Sequence, residues 1–70
     1  MEIQTAIQEL INMMNDSMKP NEVRAAAAEG LGYVGGSDVR SALAKMMKDS
    51  LKPNEVRAAA AKALGRAAAA

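Results

Sequence analysis

A near-identical internal repeat constrains the fold of this chain more than any other feature. Residues 13–32 and 46–65 lie 33 positions apart, and sixteen of the twenty aligned residues are identical. A repeat of this period indicates supersecondary units that stack on one another, because one unit alone cannot bury its apolar face. We therefore expect the chain to contain two copies of one structural unit.

The residue types in each copy favour helices. Alanine, the strongest helix former, accounts for sixteen of the 70 residues, and β-branched residues are few. Apolar side chains recur at helical spacing near the N-terminus, at Ile3, Ile7, Leu10, Ile11, Met14 and Met18. We predict an all-α protein in which Met14, Met46 and Met47 fill the interior.

Proline and glycine place the helix boundaries. Pro20 and Pro53 end the first helix of each pair, because proline disfavours helical geometry in the preceding residue. The prediction is four helices: one over about 3–17, one capped by Asn21 or the residues around it, one capped by Ser37 or Asp38, and one starting near Asn54. Gly35 and Gly36 separate the second helix from the third.

The domain organisation follows from these breaks. We expect residues 1–67 to form a single unit, with one repeat at about 3–35 and the other at about 37–67. The alanine run at 68–70 is interpreted as an expression-vector junction or tail. The expectation is a truncated or engineered piece of a longer array.

Both copies contain the motif Asn-Glu-Val-Arg-Ala-Ala-Ala-Ala, followed after two residues by Leu-Gly, at 21–32 and 54–65. This motif resembles the second helix of HEAT repeats, especially the short repeats of phycobilisome lyases. The resemblance covers most of 5–66 and implies an α-solenoid of two helical hairpins, with the second helices on the concave side. It also implies a ladder of Asp–Arg pairs between repeats, at Asp16, Asp49, Arg24 and Arg57. The alternative is that both arginines are solvated surface groups.

Composition excludes several classes of function. The chain has no Cys and no His, which excludes disulfides, thiolate metal sites and chemistry that needs imidazole. Its formal net charge of +1 gives no electrostatic case for nucleic acid or anionic lipid. No apolar run reaches the ~20 residues of a membrane span, and no phosphate loop is present. We therefore predict no catalytic, cofactor-binding or metal-binding residues and no enzyme activity.

A difference between the copies indicates an interface. Ile3, Ile7 and Ile11 form an aliphatic stripe that the corresponding helix of the second copy lacks. We predict that this stripe contacts another chain, or a preceding repeat, and that the protein is a homo-oligomer with a dimer favoured. Alternatively, the stripe covers the second helix of its own hairpin.

The predicted function is a non-enzymatic, cytoplasmic scaffold for protein–protein interaction or self-assembly, with an unidentified protein partner and no nucleic-acid or membrane partner. Its expected concave surface consists of the outward residues of the second helices: Glu22, Arg24, Glu29, Glu55, Arg57 and Lys62. Tyr33, the sole aromatic residue, is the candidate anchor. The alternative function is an accessory subunit that positions a small ligand or client for a partner enzyme, which a deep pocket beside Tyr33 would favour.

Overall fold

The computed structural model describes residues 1–69 and contains four helices: α1 (Ile3–Asn15), α2 (Asn21–Val34), α3 (Ser37–Lys48) and α4 (Asn54–Ala69). The helices form two hairpins, α1–α2 and α3–α4, which stack mainly through α2 against α4. No strand occurs in the described range, so the predicted all-α fold of two helical hairpins is confirmed. Of the tail expected at 68–70, Ala68 and Ala69 continue α4, and Ala70 lies outside the described residues.

The cap of α2 is next to Asn21, within the predicted position, whereas the cap predicted for α3 at Ser37 or Asp38 is wrong. Pro20 and Gly36 occupy the N-cap positions of α2 and α3, and neither helix has a side-chain cap hydrogen bond. The first residue of α2 is Asn21, and α3 begins with Ser37 and Asp38. Pro20 suits the cap because its φ of −59° and ψ of 146° are extended, and the N–H that proline lacks would have no helical partner there. Gly35 and Gly36 separate α2 from α3 as expected, with φ values of 75° and 96° that favour glycine.

Asp16 and Asp49 form equivalent turns after α1 and α3. The backbone N–H of Met18 donates to Asp16 Oδ1, and the N–H of Leu51 donates to Asp49 Oδ1, both at 2.9 Å. These side-chain bonds stabilise a turn in place of further helix, so α1 ends at Asn15 and not at 17. Met18, expected on the apolar face of the first helix, therefore lies in the turn and is exposed.

The core consists of medium-sized apolar side chains and many alanines. Met14, Leu31, Val39, Leu43 and Val56 are fully buried. They are surrounded by Ala27, Ala28, Met46, Ala59, Ala60, Ala63 and Ala67. The interior role predicted for the core methionines is confirmed, since Met47 also packs against this cluster. Because the side chains between α2 and α4 are so small, these helices pack closely.

The repeats approach each other closely at Gly32 of α2. A Cβ atom added to Gly32 would lie 2.9 Å from both the Cα and the carbonyl oxygen of Ala63 in α4. Gly30, two residues earlier, is different, because an added Cβ would only make ordinary van der Waals contact with Leu10 at 3.6 Å. A side chain at position 32 would therefore force α2 and α4 to shift, whereas one at position 30 would not.

Candidate functional site

The two arginines of the repeated motif bind the C-terminal ends of the first helices. Arg24 Nε donates to the Met14 carbonyl at 2.9 Å, and Arg57 Nε donates to the Met47 carbonyl at 3.1 Å. Carbonyls at a helix C-terminus have no partner in their own helix and carry the negative end of its dipole, so a guanidinium stabilises them. The last turn of α1 contains no basic residue, and Arg24 supplies the positive charge from α2.

Two expectations for these arginines are corrected by this geometry. Arg24 is only 3% exposed, so it is neither a solvated group nor part of the outward concave surface. Arg57, which makes the equivalent hydrogen bond to the Met47 carbonyl, is half-buried. In the described part of the chain, no ion pair joins Asp16 or Asp49 to either arginine, so the implied Asp–Arg ladder is not formed. The Asp carboxylates accept turn N–H groups instead.

The remaining predicted surface residues lie on the outward side of α2 and α4. Glu22, Glu55 and Lys62 are exposed, and Glu29 is half-exposed. Two further residues, Tyr33 and Arg66, complete two stripes related by the 33-residue repeat. We call the set the second-helix surface: Glu22, Glu29 and Tyr33 on α2, with Glu55, Lys62 and Arg66 on α4. Because α2 packs directly on α4, the two stripes are neighbours.

Arg66 connects the two stripes. Its Nη1 atom lies 3.1 Å from Glu29 Oε1, and its guanidinium carbon lies 4.5 Å from the centroid of the Tyr33 ring. The ring is thus held by a cation–π contact, although Tyr33 remains 74% exposed. Sequence reasoning did not select Arg66, because it precedes the alanine run. The available signal was its alignment with Tyr33, 33 residues earlier.

The aliphatic stripe of α1 is divided between the interior and the surface. Ile7 and Ile11 are partly buried and pack against the core of their own chain, which was the alternative role for the stripe. Ile3 is 63% exposed. Of the three isoleucines, Ile3 is therefore the one that is mostly free for contact with another molecule.

A half-open groove of about 500 Å³ lies between α1 and α3. Its walls are formed by Ile11, Asn15, Ser41, Ala42, Lys45, Met46, Asp49 and Lys52. Tyr33 is not among them, so this groove is not the pocket beside Tyr33 that would favour a ligand-positioning subunit. Within residues 1–69, no cluster of three or more acidic side chains is arranged to hold a metal ion. None of the helices described here has the length and hydropathy needed to cross a membrane.

Comparison with known proteins gives one match. A family model for HEAT repeats matches residues 4–69, which include all four helices apart from the first residue of α1. No curated protein and no solved structure matches the chain. The match is to HEAT repeats as a class, and it does not extend to the narrower resemblance to phycobilisome lyases.

Proposed function

Because the chain belongs to the HEAT-repeat family, we propose that it is a non-enzymatic scaffold that binds a protein partner through the second-helix surface. HEAT repeats are commonly protein-interaction scaffolds. The cytoplasmic location expected from the sequence and self-association of the chain are parts of the same proposal.

The main support for this proposal is the environment of Tyr33. Exposed aromatic side chains are enriched among the residues that contribute most to protein–protein binding. Arg66, which is itself paired with Glu29, restricts the Tyr33 ring before any partner binds. A side chain that is already ordered loses less conformational entropy on binding, which favours affinity. The arrangement spans both repeats, so it requires the stacked fold and not one hairpin alone.

Charge on the second-helix surface indicates the kind of partner. Glu22 and Glu55 lie in the first turns of α2 and α4, whereas Lys62 lies further along α4 and Arg66 lies in its last turn. Glu29 is paired with Arg66, so the surface is acidic at the end of Glu22 and Glu55 and keeps the positive charge of Lys62 at the other. A partner with the opposite order of charges along its contact surface would be favoured, because complementary charges steer association and reject wrong partners.

Affinity capture with matched variants tests this function. We expect a partner to be retained by the wild-type chain and lost with Tyr33→Ala and with Lys62→Glu. Arg40→Glu is the control for Lys62→Glu, since Arg40 is an exposed basic residue on α3 outside the second-helix surface. Equal capture by all four proteins, or no enrichment over an unrelated helical protein, would show that this surface does not bind a partner.

A further inference from the structure

The surface that α2 buries against the second repeat has an exposed counterpart on α4. Ala28, Leu31, Gly32 and Gly35 are buried in the first repeat. The residues 33 positions later, on α4, are exposed or half-exposed. We call this set the C face: Ala61, Leu64, Gly65 and Ala68. Three of these four residues, Ala61, Leu64 and Gly65, are identical to their counterparts in the first copy.

The opposite surface shows the reverse pattern. Val56, Ala59, Ala63 and Ala67 of α4 are buried. Their counterparts on α2 form what we call the N face: Val23, Ala26, Gly30 and Val34. Val23 is 37% exposed where Val56 is 0% exposed, and Val34 is 38% exposed where Ala67 is 0% exposed. Both α2 and α4 pack against the first helix of their own hairpin. The difference in burial between them therefore comes from the neighbouring repeat, which covers a different side of each helix.

We propose that the C face of one chain binds the N face of a second copy, and so repeats between chains the α2–α4 contact found within the chain. This inference rests on the scaffold function proposed above and names a second copy as the partner. The N face and the C face correspond to the two sides of the α2–α4 interface, and in the described residues neither of them is covered. Such a contact is head-to-tail, and each added copy leaves another face open, so assembly continues beyond the expected dimer.

Gly65 fits this contact. Glycine inside a helix is destabilising relative to alanine, yet nothing lies within 4 Å of a Cβ atom added to Gly65 in the single chain. At its counterpart Gly32, an added Cβ would lie 2.9 Å from the Ala63 backbone. In the same register between chains, Gly65 of one copy faces Gly30 of the next, because Gly30 is the counterpart of Ala63. With glycine on both sides, the backbones have at least as much room as they have within the chain.

Side chains at the edge of the contact are also compatible with it. Within the chain, Glu29 of the first repeat contacts Arg66 of the second. At the contact between chains, the equivalent positions 33 residues away are Lys62 of one copy and Tyr33 of the next. An ammonium group over a tyrosine ring is favourable, so like charges do not meet. The first helices are no obstacle, because α1 and α3 already lie side by side within the chain, with the groove between them.

Sedimentation equilibrium over about 10–500 µM, a range that spans weak association constants, tests the proposal. We expect the average mass of the wild-type chain to rise with concentration from 7.3 kDa past that of a dimer. Gly65→Leu should weaken association roughly tenfold or more and leave the helical circular dichroism unchanged, since its site is open in the single chain. Ala61→Glu is a second C-face variant with the same expected loss.

Gly30→Ala is the matched control on the N face. It introduces the residue that the internal interface accommodates at Ala63, so association should be at least as strong as in the wild type. A wild-type chain that stays at 7.3 kDa overturns the proposal, as does folded Gly65→Leu or Ala61→Glu that associates normally. Loss of association with Ile3→Lys alone would place the interface on α1 and would also overturn it.

The two proposals can fail separately. A chain that stays monomeric but captures a partner through Tyr33 would contradict the head-to-tail contact and self-association, and would leave partner binding through the second-helix surface supported. A chain that assembles through Gly65 but captures no other protein would contradict only the binding of a different partner through the second-helix surface.

Discussion

Alanine substitutions at Gly32 and Gly65 should change stability in opposite directions, although the two glycines occupy the same position of the repeat. Replacing a helical glycine by alanine stabilises a helix by about 0.5–1 kcal/mol. At Gly65 nothing lies near the added Cβ, so this gain is the whole effect. At Gly32 the added Cβ lies 2.9 Å from the Ala63 Cα and carbonyl oxygen and 3.0 Å from its Cβ.

The magnitude follows from which atoms must move. Two of the three close atoms at Gly32 belong to the backbone of α4, which cannot rotate away as a side chain can, so α2 and α4 must separate. Overpacking of this kind costs about 1–3 kcal/mol. Since the helix-propensity gain is common to both variants, the difference in their free energies of unfolding is this same cost. In a chain of this size, each kcal/mol corresponds to roughly 4–8 °C in Tm.

Thermal and urea unfolding, followed by helical circular dichroism in dilute solution, measures the difference. We expect Gly65→Ala to be more stable than the wild type and Gly32→Ala to be less stable. Adding Ala63→Gly to Gly32→Ala should not restore stability, because the two backbone contacts remain. Equal stability of the two single variants would refute the close approach of α2 and α4.

Three further predictions concern polar contacts. Arg24→Ala should lower the free energy of unfolding by about 2–3 kcal/mol, because it removes a buried, charge-assisted hydrogen bond to the Met14 carbonyl. Arg57→Ala should lower it by about 1 kcal/mol at its half-buried site, and equal urea midpoints for the two would contradict this reasoning. Arg66→Ala should cost at most about 1 kcal/mol, since its ion pair is exposed; the loss should shrink in concentrated salt, and a loss that salt does not change would be contrary. Asp16→Ala should cost about 1 kcal/mol by removing the acceptor for the Met18 N–H, whereas Asp16→Asn, which keeps an acceptor, should unfold close to the wild type.

The helices could be predicted because their boundaries are determined locally. Pro20, Pro53 and the pair Gly35–Gly36 restrict the backbone wherever the chain goes, and the 33-residue repeat makes each assignment twice. The exact caps could not be predicted in the same way. A proline and a glycine took the N-cap positions because the geometry of the turns, and not a hydrogen bond from a side chain, begins α2 and α3.

Burial could not be predicted from the motif, because identical residues have different neighbours. Val23 and Val56 occupy the same motif position, but within the described residues only Val56 is covered by a preceding repeat. Arg24 and Arg57 differ for a related reason, because within the described residues a second repeat covers the hairpin of Arg24 and none covers that of Arg57. The bond from Arg24 to a carbonyl ten residues earlier depends on how the hairpin closes. A periodic sequence therefore predicts the unit, whereas the position in the array decides which surfaces remain open.

Contact between Gly32 and Ala63 is the feature on which the stacking of the repeats and both open faces depend, and nuclear Overhauser spectroscopy of the dilute chain measures it directly. We predict strong cross-peaks between the Gly32 Hα protons and the Hα and methyl protons of Ala63, with no equivalent cross-peak from Gly65 to another helix. A folded chain without the Gly32–Ala63 cross-peaks would contradict the packing of α2 on α4.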